Sequence, residues 1–148
     1  AGDLHASVRI GVQPGMSAPS LLSRLVDLGT VALGLGLLGL AAHATLLPAD
    51  AAATYGVPVP DTGLPWVQAT GARDAVLGLI VLLTLRHRAA RTAVLGCALL
   101  LPLVDVVIAF VHGSGLAATL PHAVGGVGIA VLLGLALADP ARGGRSTP

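Results

Sequence analysis

Four long apolar runs follow one another along the chain, each closed by polar or helix-breaking residues. The first runs from about Leu21 to Leu47 and stops at Pro48, and the second runs from about Pro65 to Leu85 and stops at Arg86-His87-Arg88. The third extends from about Thr92 to Val111 and ends at His112-Gly113-Ser114-Gly115, and the fourth from about Leu116 to Ala138, ending at Asp139-Pro140. Each reaches the roughly 20 residues that a helix needs to cross a bilayer. None alternates with a period of two, and in lipid only helices and closed barrels satisfy the backbone. A small barrel would need more and shorter segments. The pattern therefore predicts an all-α fold, a four-transmembrane-helix bundle over residues 21–138. Residues 1–20 read as a disordered N-terminal extension. Its first 15 residues precede the only methionine, Met16, and leave open whether they are native. Residues 139–148 read as a disordered tail.

Composition strengthens this reading. Hydrophobic residues make up 55% of the 148 and charged residues 10%, with a mean hydropathy of +0.90. A soluble domain carries about 25% charged residues, so this chain has too few to cover a water-facing surface. A net charge of +1 gives no reason to expect a nucleic-acid partner. The one cysteine, Cys97, lies within an apolar run, so neither an intrachain disulfide nor a cysteine-based metal motif is available.

The arginines predict orientation. Arg9 precedes the first run and Arg24 stands at its start, Arg86, Arg88 and Arg91 separate the second from the third, and Arg142 and Arg145 follow the fourth. If the chain crosses four times, these seven share one side. Loops 48–64 and 112–115 contain no Arg or Lys. The positive-inside rule then puts both termini in the cytoplasm. The expected location is a bacterial cytoplasmic (inner) membrane, as a multi-pass protein in contact with the lipid bilayer. The long outer loop carries three prolines, Pro58, Pro60 and Pro65, and could run extended or fold over the bundle as a lid. Tyr55 and Trp66 suit the membrane interface.

The polar residues inside the runs gather at one depth. Arg73 and Asp74 follow Pro65 by eight and nine residues, roughly 12–14 Å down from the outer end. Asp105 lies seven residues before His112, roughly 10 Å down. His122 lies roughly 9 Å into the fourth run and His43 roughly 6 Å into the first. Each span thus contributes a polar group to the outer half, while the inner half offers little beyond Asp27, Thr30 and Thr84. Asp27 reads as an interfacial partner of Arg24. Gly71, Asp74 and Gly78 share one helix face, and glycines allow close helix approach in membranes. The stripes Gly29, Ala32, Gly36, Gly39 and Ala98, Pro102, Asp105, Ala109, His112 predict further small or polar faces, as do Gly125 and Gly126 beside His122. Arg73 and Asp74 diverge by about 100° on a helix, so Asp105 is the expected partner of Arg73, and Asp74 pairs obliquely or meets His122. A guanidinium keeps its charge and holds at least one of these carboxylates ionised. The other is a candidate acid.

The order Tyr55-Gly56-Val57-Pro58, Gly71-x-Arg73-Asp74-x3-Gly78, Pro102-Leu103-Val104-Asp105 and then His122 resembles a family of small four-helix membrane proteins, domain of unknown function 4267. The resemblance covers about residues 20–138. It implies four spans and no established activity.

Two function classes remain. In one, the outward polar pocket binds a small lipophilic molecule and transforms it by proton transfer: isomerisation, cyclisation or epoxide opening. Asp74, Asp105 and His122 are then the candidate catalytic residues, the carboxyls as general acid or base and His122 as a proton shuttle. Arg73, His43, Trp66 and His112 are the candidate ligand contacts, with Arg73 stabilising developing negative charge. In the other, the chain is a non-catalytic scaffold or accessory subunit whose charges form a structural ion-pair network, since buried polar groups can set helix register without adding stability. His43 and His112 equally suit the interface. No metal is expected, because the histidines lack ligand spacing, and no cofactor is expected, because nucleotide and nucleophile motifs are absent. Homo-oligomerisation is left open.

Overall fold

The computed structural model describes residues 20–56, 59–112 and 115–139. Apart from Ser20 and Asp139, the extension and the tail read at the two ends, and with them Arg9, Arg142 and Arg145, lie outside the described residues, as do Val57, Pro58, Gly113 and Ser114. The described chain is helical: α1 (Leu21–Leu46), α2 (Pro48–Thr54), α3 (Leu64–Leu83), α4 (Arg88–Val111) and α5 (Gly115–Ala138). Four segments are long and apolar enough to cross a membrane: α1, α3 with its flanking 3-10 turns, α4 and α5. Their outer surfaces suit lipid, with Leu28, Leu35, Val76, Phe110 and Val127 among many large apolar side chains left exposed.

Local sequence sets the boundaries. Ser20 caps α1, its Oγ accepting from the Ser23 backbone N–H at 3.1 Å. Leu47 precedes Pro48, which disfavours helical backbone there, and it takes φ −131°. The next helix starts at once, with Pro48 in its first turn, where a missing N–H costs nothing. The outer loop is thus helical at its start, where α2 buries Ala51 and Ala52 against the bundle, while Pro60 keeps the extended backbone expected of it and Pro65 lies in the first turn of α3. At the other end, α4 begins at Arg88 rather than Thr92, so Arg88 and Arg91 belong to its first turn.

The spans associate as two pairs. α1 packs along α3 and α4 along α5, and the contact between the pairs is much sparser. Glycines make the first pair tight. A Cβ on Gly78 would stand 2.9 Å from the carbonyl oxygen of Gly34, and one on Gly71 would stand 3.0 Å from that of Ala41. The Gly71–Asp74–Gly78 face is buried, as its spacing predicts. On α1 the contact glycine is Gly34, whereas Gly36 and Gly39 have nothing within 4 Å of a built Cβ. The stripe read on α1 turns instead to the second pair, where Gly29 packs against Leu132 of α5 and Ala32 and Gly36 line a cavity. In the second pair Gly126 faces the ring of Pro102.

The two pairs are joined mainly at the arginine-rich end. There Val26, Leu95, Leu132 and Ala136 form an apolar cluster. Around it, Arg91 pairs with Asp27, and Arg88 reaches both Asp139 (3.0 Å) and the Ser23 hydroxyl (2.7 Å). Asp27 is thus bound across helices by Arg91, which is buried, and not along its own helix by Arg24. Inner polar groups are therefore more numerous than the sequence reading allowed, and they tie α1 to α4 and α5.

Candidate functional site

Where the pairs diverge, toward the end opposite the arginines, they leave a cavity of about 700 Å³, within the range of small-molecule sites. Its walls are mostly aliphatic, from Leu33, Leu37, Leu101 and Ile129 among others, and its polar groups are Tyr55, Thr70, Arg73, Asp74, Asp105 and His122. Two helix-interior prolines, Pro102 and Pro121, also line it.

Arg73 lies on α3 beside Asp74 and folds back onto it. Nε donates to Asp74 Oδ1 at 3.0 Å, and Nη2 stands at the same distance from that oxygen as an ion pair. The long arginine stem spans the angle between neighbouring positions, so the expected order of partners is reversed. Asp74 is the close partner, and Asp105 Oδ2 lies 3.9 Å from Arg73 Nη2. Asp74 is almost fully buried, in keeping with its place between two packing glycines. His122 on α5 approaches Asp105 across the second pair, with Nδ1 3.7 Å from Oδ2. Both approaches to Asp105 exceed hydrogen-bond distance, and among the described residues Asp105 receives no direct hydrogen bond.

Tyr55 completes the cluster. It follows α2 and stacks on His122, with ring centroids 5.5 Å apart and planes 23° from parallel. Burial, and then the carboxylates of Asp74 and Asp105, push its phenol above its ordinary value of 10.0, so it remains a neutral donor at physiological pH. Gly56, with φ +69°, turns the chain directly after it, a conformation that favours glycine. Tyr55 thus sits over the cavity instead of anchoring at the interface. The sequence carried a usable signal: Pro48 followed by three alanines in a row marks a helix start, which brings the loop back over the bundle.

Asp74, Asp105, His122 and Arg73 meet at this one cavity. The other expected ligand contacts do not. His43 turns away to bind Asp50, at 2.8 Å from Nε2. Trp66 and His112 are exposed and outside the cavity wall. Trp66 and His112 stand at the ends of their helices, beyond the depth of the cluster. Among the described residues no group of three or more His, Cys, Asp or Glu side chains could hold a metal ion.

A family described as Domain of unknown function (DUF4267) matches residues 29–137, a span that reaches from within α1 to the end of α5 and includes the whole polar cluster. No curated protein and no solved structure matches the chain. The chain belongs to the DUF4267 family.

Proposed function

We propose that this member of the family uses the outer cavity to bind a small lipophilic molecule and to transform it by acid–base chemistry. The observation that carries the proposal is convergence: Arg73, Asp74, Asp105, His122 and Tyr55 come from three different spans and the outer loop to one apolar cavity. Aliphatic walls exclude water and strengthen every electrostatic interaction inside. Asp105 acts as general base or acid on the ligand, and His122, 3.7 Å away, relays the proton. Arg73 stabilises developing negative charge while holding Asp74 as its counter-ion. The positive-inside rule supports cytoplasmic termini in an inner membrane, with the cavity reached from the outer half.

A purely structural role for the charges predicts ion pairs that bridge helices. Arg88–Asp139 and Arg91–Asp27 do so at the inner end. At the cavity the close pair, Arg73–Asp74, lies within one helix, and the pair that crosses helices, Arg73–Asp105, is long at 3.9 Å, which favours the pocket reading.

Gly125 offers a direct test, because it lines the cavity and a built Cβ meets nothing within 4 Å. Purified wild type and Gly125→Phe are washed in nanodiscs and their organic extracts compared by mass spectrometry. The expected result is a small molecule retained by wild type and lost from a Gly125→Phe variant that melts normally. Incubation in D2O then separates enzyme from binder: the retained molecule gains deuterium with wild type and not with Asp105→Asn. Equal extracts from wild type and Gly125→Phe defeat the reading.

A further inference from the structure

The charge balance of the cavity points to the class of ligand. One guanidinium faces two carboxyl side chains in the lining, an excess of one acidic group over the permanent cation. The guanidinium is not shared evenly. Arg73 commits Nε and Nη2 to Asp74 at 3.0 Å. Asp105 stands 3.9 Å from Arg73 and 3.7 Å from His122, too far for a hydrogen bond to either. The Asp105 side chain is 27% exposed and takes no hydrogen bond from the protein, so its lone pairs stand open to a ligand, and a ligand N–H⁺ group both fills them and offsets the acidic excess. Tyr55 and His122, stacked beside it, add aromatic faces suited to a cation.

We propose that the cavity selects an amphiphile carrying a protonated amine, whose ammonium binds Asp105 and whose aliphatic body fills the space between the two helix pairs. This rests on the pocket reading above and adds the head-group chemistry. An acidic amphiphile meets the opposite condition: its carboxylate would face Asp105 across an arginine already occupied by Asp74. An alcohol can donate one hydrogen bond but leaves the acidic excess in place. The ammonium could belong to a single-chain amine or to an aminolipid head group, and the cavity chemistry is shared by both.

The test uses the full chain in phosphatidylcholine nanodiscs, titrated separately with dodecylamine, 1-dodecanol and dodecanoate, with melting temperature and equilibrium binding as readouts. Dodecylamine should bind most tightly and raise the melting temperature most, with dodecanol weaker and dodecanoate weakest. Asp105→Asn should weaken dodecylamine by roughly tenfold or more, the loss expected for a hydrogen bond to a charged group, and should leave dodecanol nearly unchanged. Dodecanoate binding as tightly as the amine, or Asp105→Asn binding the amine as wild type does, overturns the proposal while sparing the pocket. If none of the three binds, the pocket reading falls with it. Should Asp105→Asn fail to fold, the ranking of the three probes on wild type still decides. Adding phosphatidylethanolamine to the nanodiscs identifies the source: competition with dodecylamine assigns the ammonium to a lipid head group, and its absence assigns it to a free amine.

Discussion

Tyr55 and His122 stack at a centroid distance of 5.5 Å, although 67 positions separate them in the chain. The contact joins the outer loop to the last span and closes over the polar end of the cavity. Stacked aromatic pairs contribute about 0.5–1.5 kcal/mol beyond area burial. Tyr55→Ala should therefore destabilise the protein by about 1 kcal/mol and weaken ligand retention, whereas Tyr55→Phe keeps the ring and most of the stability. Melting of the two variants in the same nanodiscs checks the difference.

The phenol also makes a prediction about alkali. Its folded value lies above the ordinary 10.0, so the folded state holds this proton more tightly than the unfolded state. Stability from this group is then fully present below pH 10 and is lost as pH rises from there through the folded value. Wild type should lose stability relative to Tyr55→Phe above about pH 10, read from melting across an alkaline pH series. Parallel curves for the two proteins would contradict the burial of Tyr55.

Glycines at two positions on neighbouring helices should behave oppositely. A Cβ on Gly78 meets the Gly34 carbonyl oxygen at 2.9 Å, so Gly78→Ala must push α3 off α1, at about 1–3 kcal/mol. Gly39 has nothing within 4 Å. Gly39→Ala should be neutral or stabilising by up to about 1 kcal/mol through helix propensity. Thermal melting of the two variants in detergent gives the comparison.

At the arginine-rich end, the Arg91 side chain is 3% exposed, and among the described residues its Nε has no hydrogen-bond partner. Asp27→Ala removes the carboxylate it does have. The expected loss is roughly 1–3 kcal/mol, the range for a buried donor left unsatisfied. Adding Arg91→Met should recover part of that loss, because a buried pair replaced by apolar groups costs less than a stranded charge. A double-mutant cycle measures the recovery.

The outer charges should separate by the same logic. Arg73→Ala strands Asp74, whose side chain is 8% exposed, while Asp105→Asn breaks no hydrogen bond. Arg73→Ala should melt well below wild type. Asp105→Asn should lose less than about 1 kcal/mol, as weak ion pairs do, and so reports on binding without a folding defect.

How far the sequence could lead follows from what kind of information each feature needs. The four spans are set by run length and by breakers such as Pro48, which act locally. The buried face of Gly71, Asp74 and Gly78 follows from helical period alone. The gathering of Arg73, Asp74, Asp105 and His122 was legible as a common depth, because rise per residue is constant along a helix. Which of them touch was not, since that depends on how the helices rotate about their axes. His43 has the right depth and the wrong angle. Arg73 was assigned to Asp105 by the divergence of adjacent positions, but a four-bond side chain can cancel 100° of rotation. Arg91 could have been recognised as buried, because Leu95 and Ala98 follow it at i+4 and i+7 on one face. The pairing with Asp27 needed the crossing of α1 and α4.

That Arg73 and Asp74 satisfy each other at 3.0 Å within a single helix bears on how the chain reaches the membrane. A lone arginine or aspartate costs about 2.5–3.5 kcal/mol to insert at the centre of a span. α3 carries its counter-ion with it, so it need not wait for α4 or α5 to be synthesised before it can leave the translocation machinery. Its tight partner, α1, has by then already been made. The first two spans can settle in lipid as a finished hairpin, and the second two as another. The cavity comes into being only when the hairpins meet.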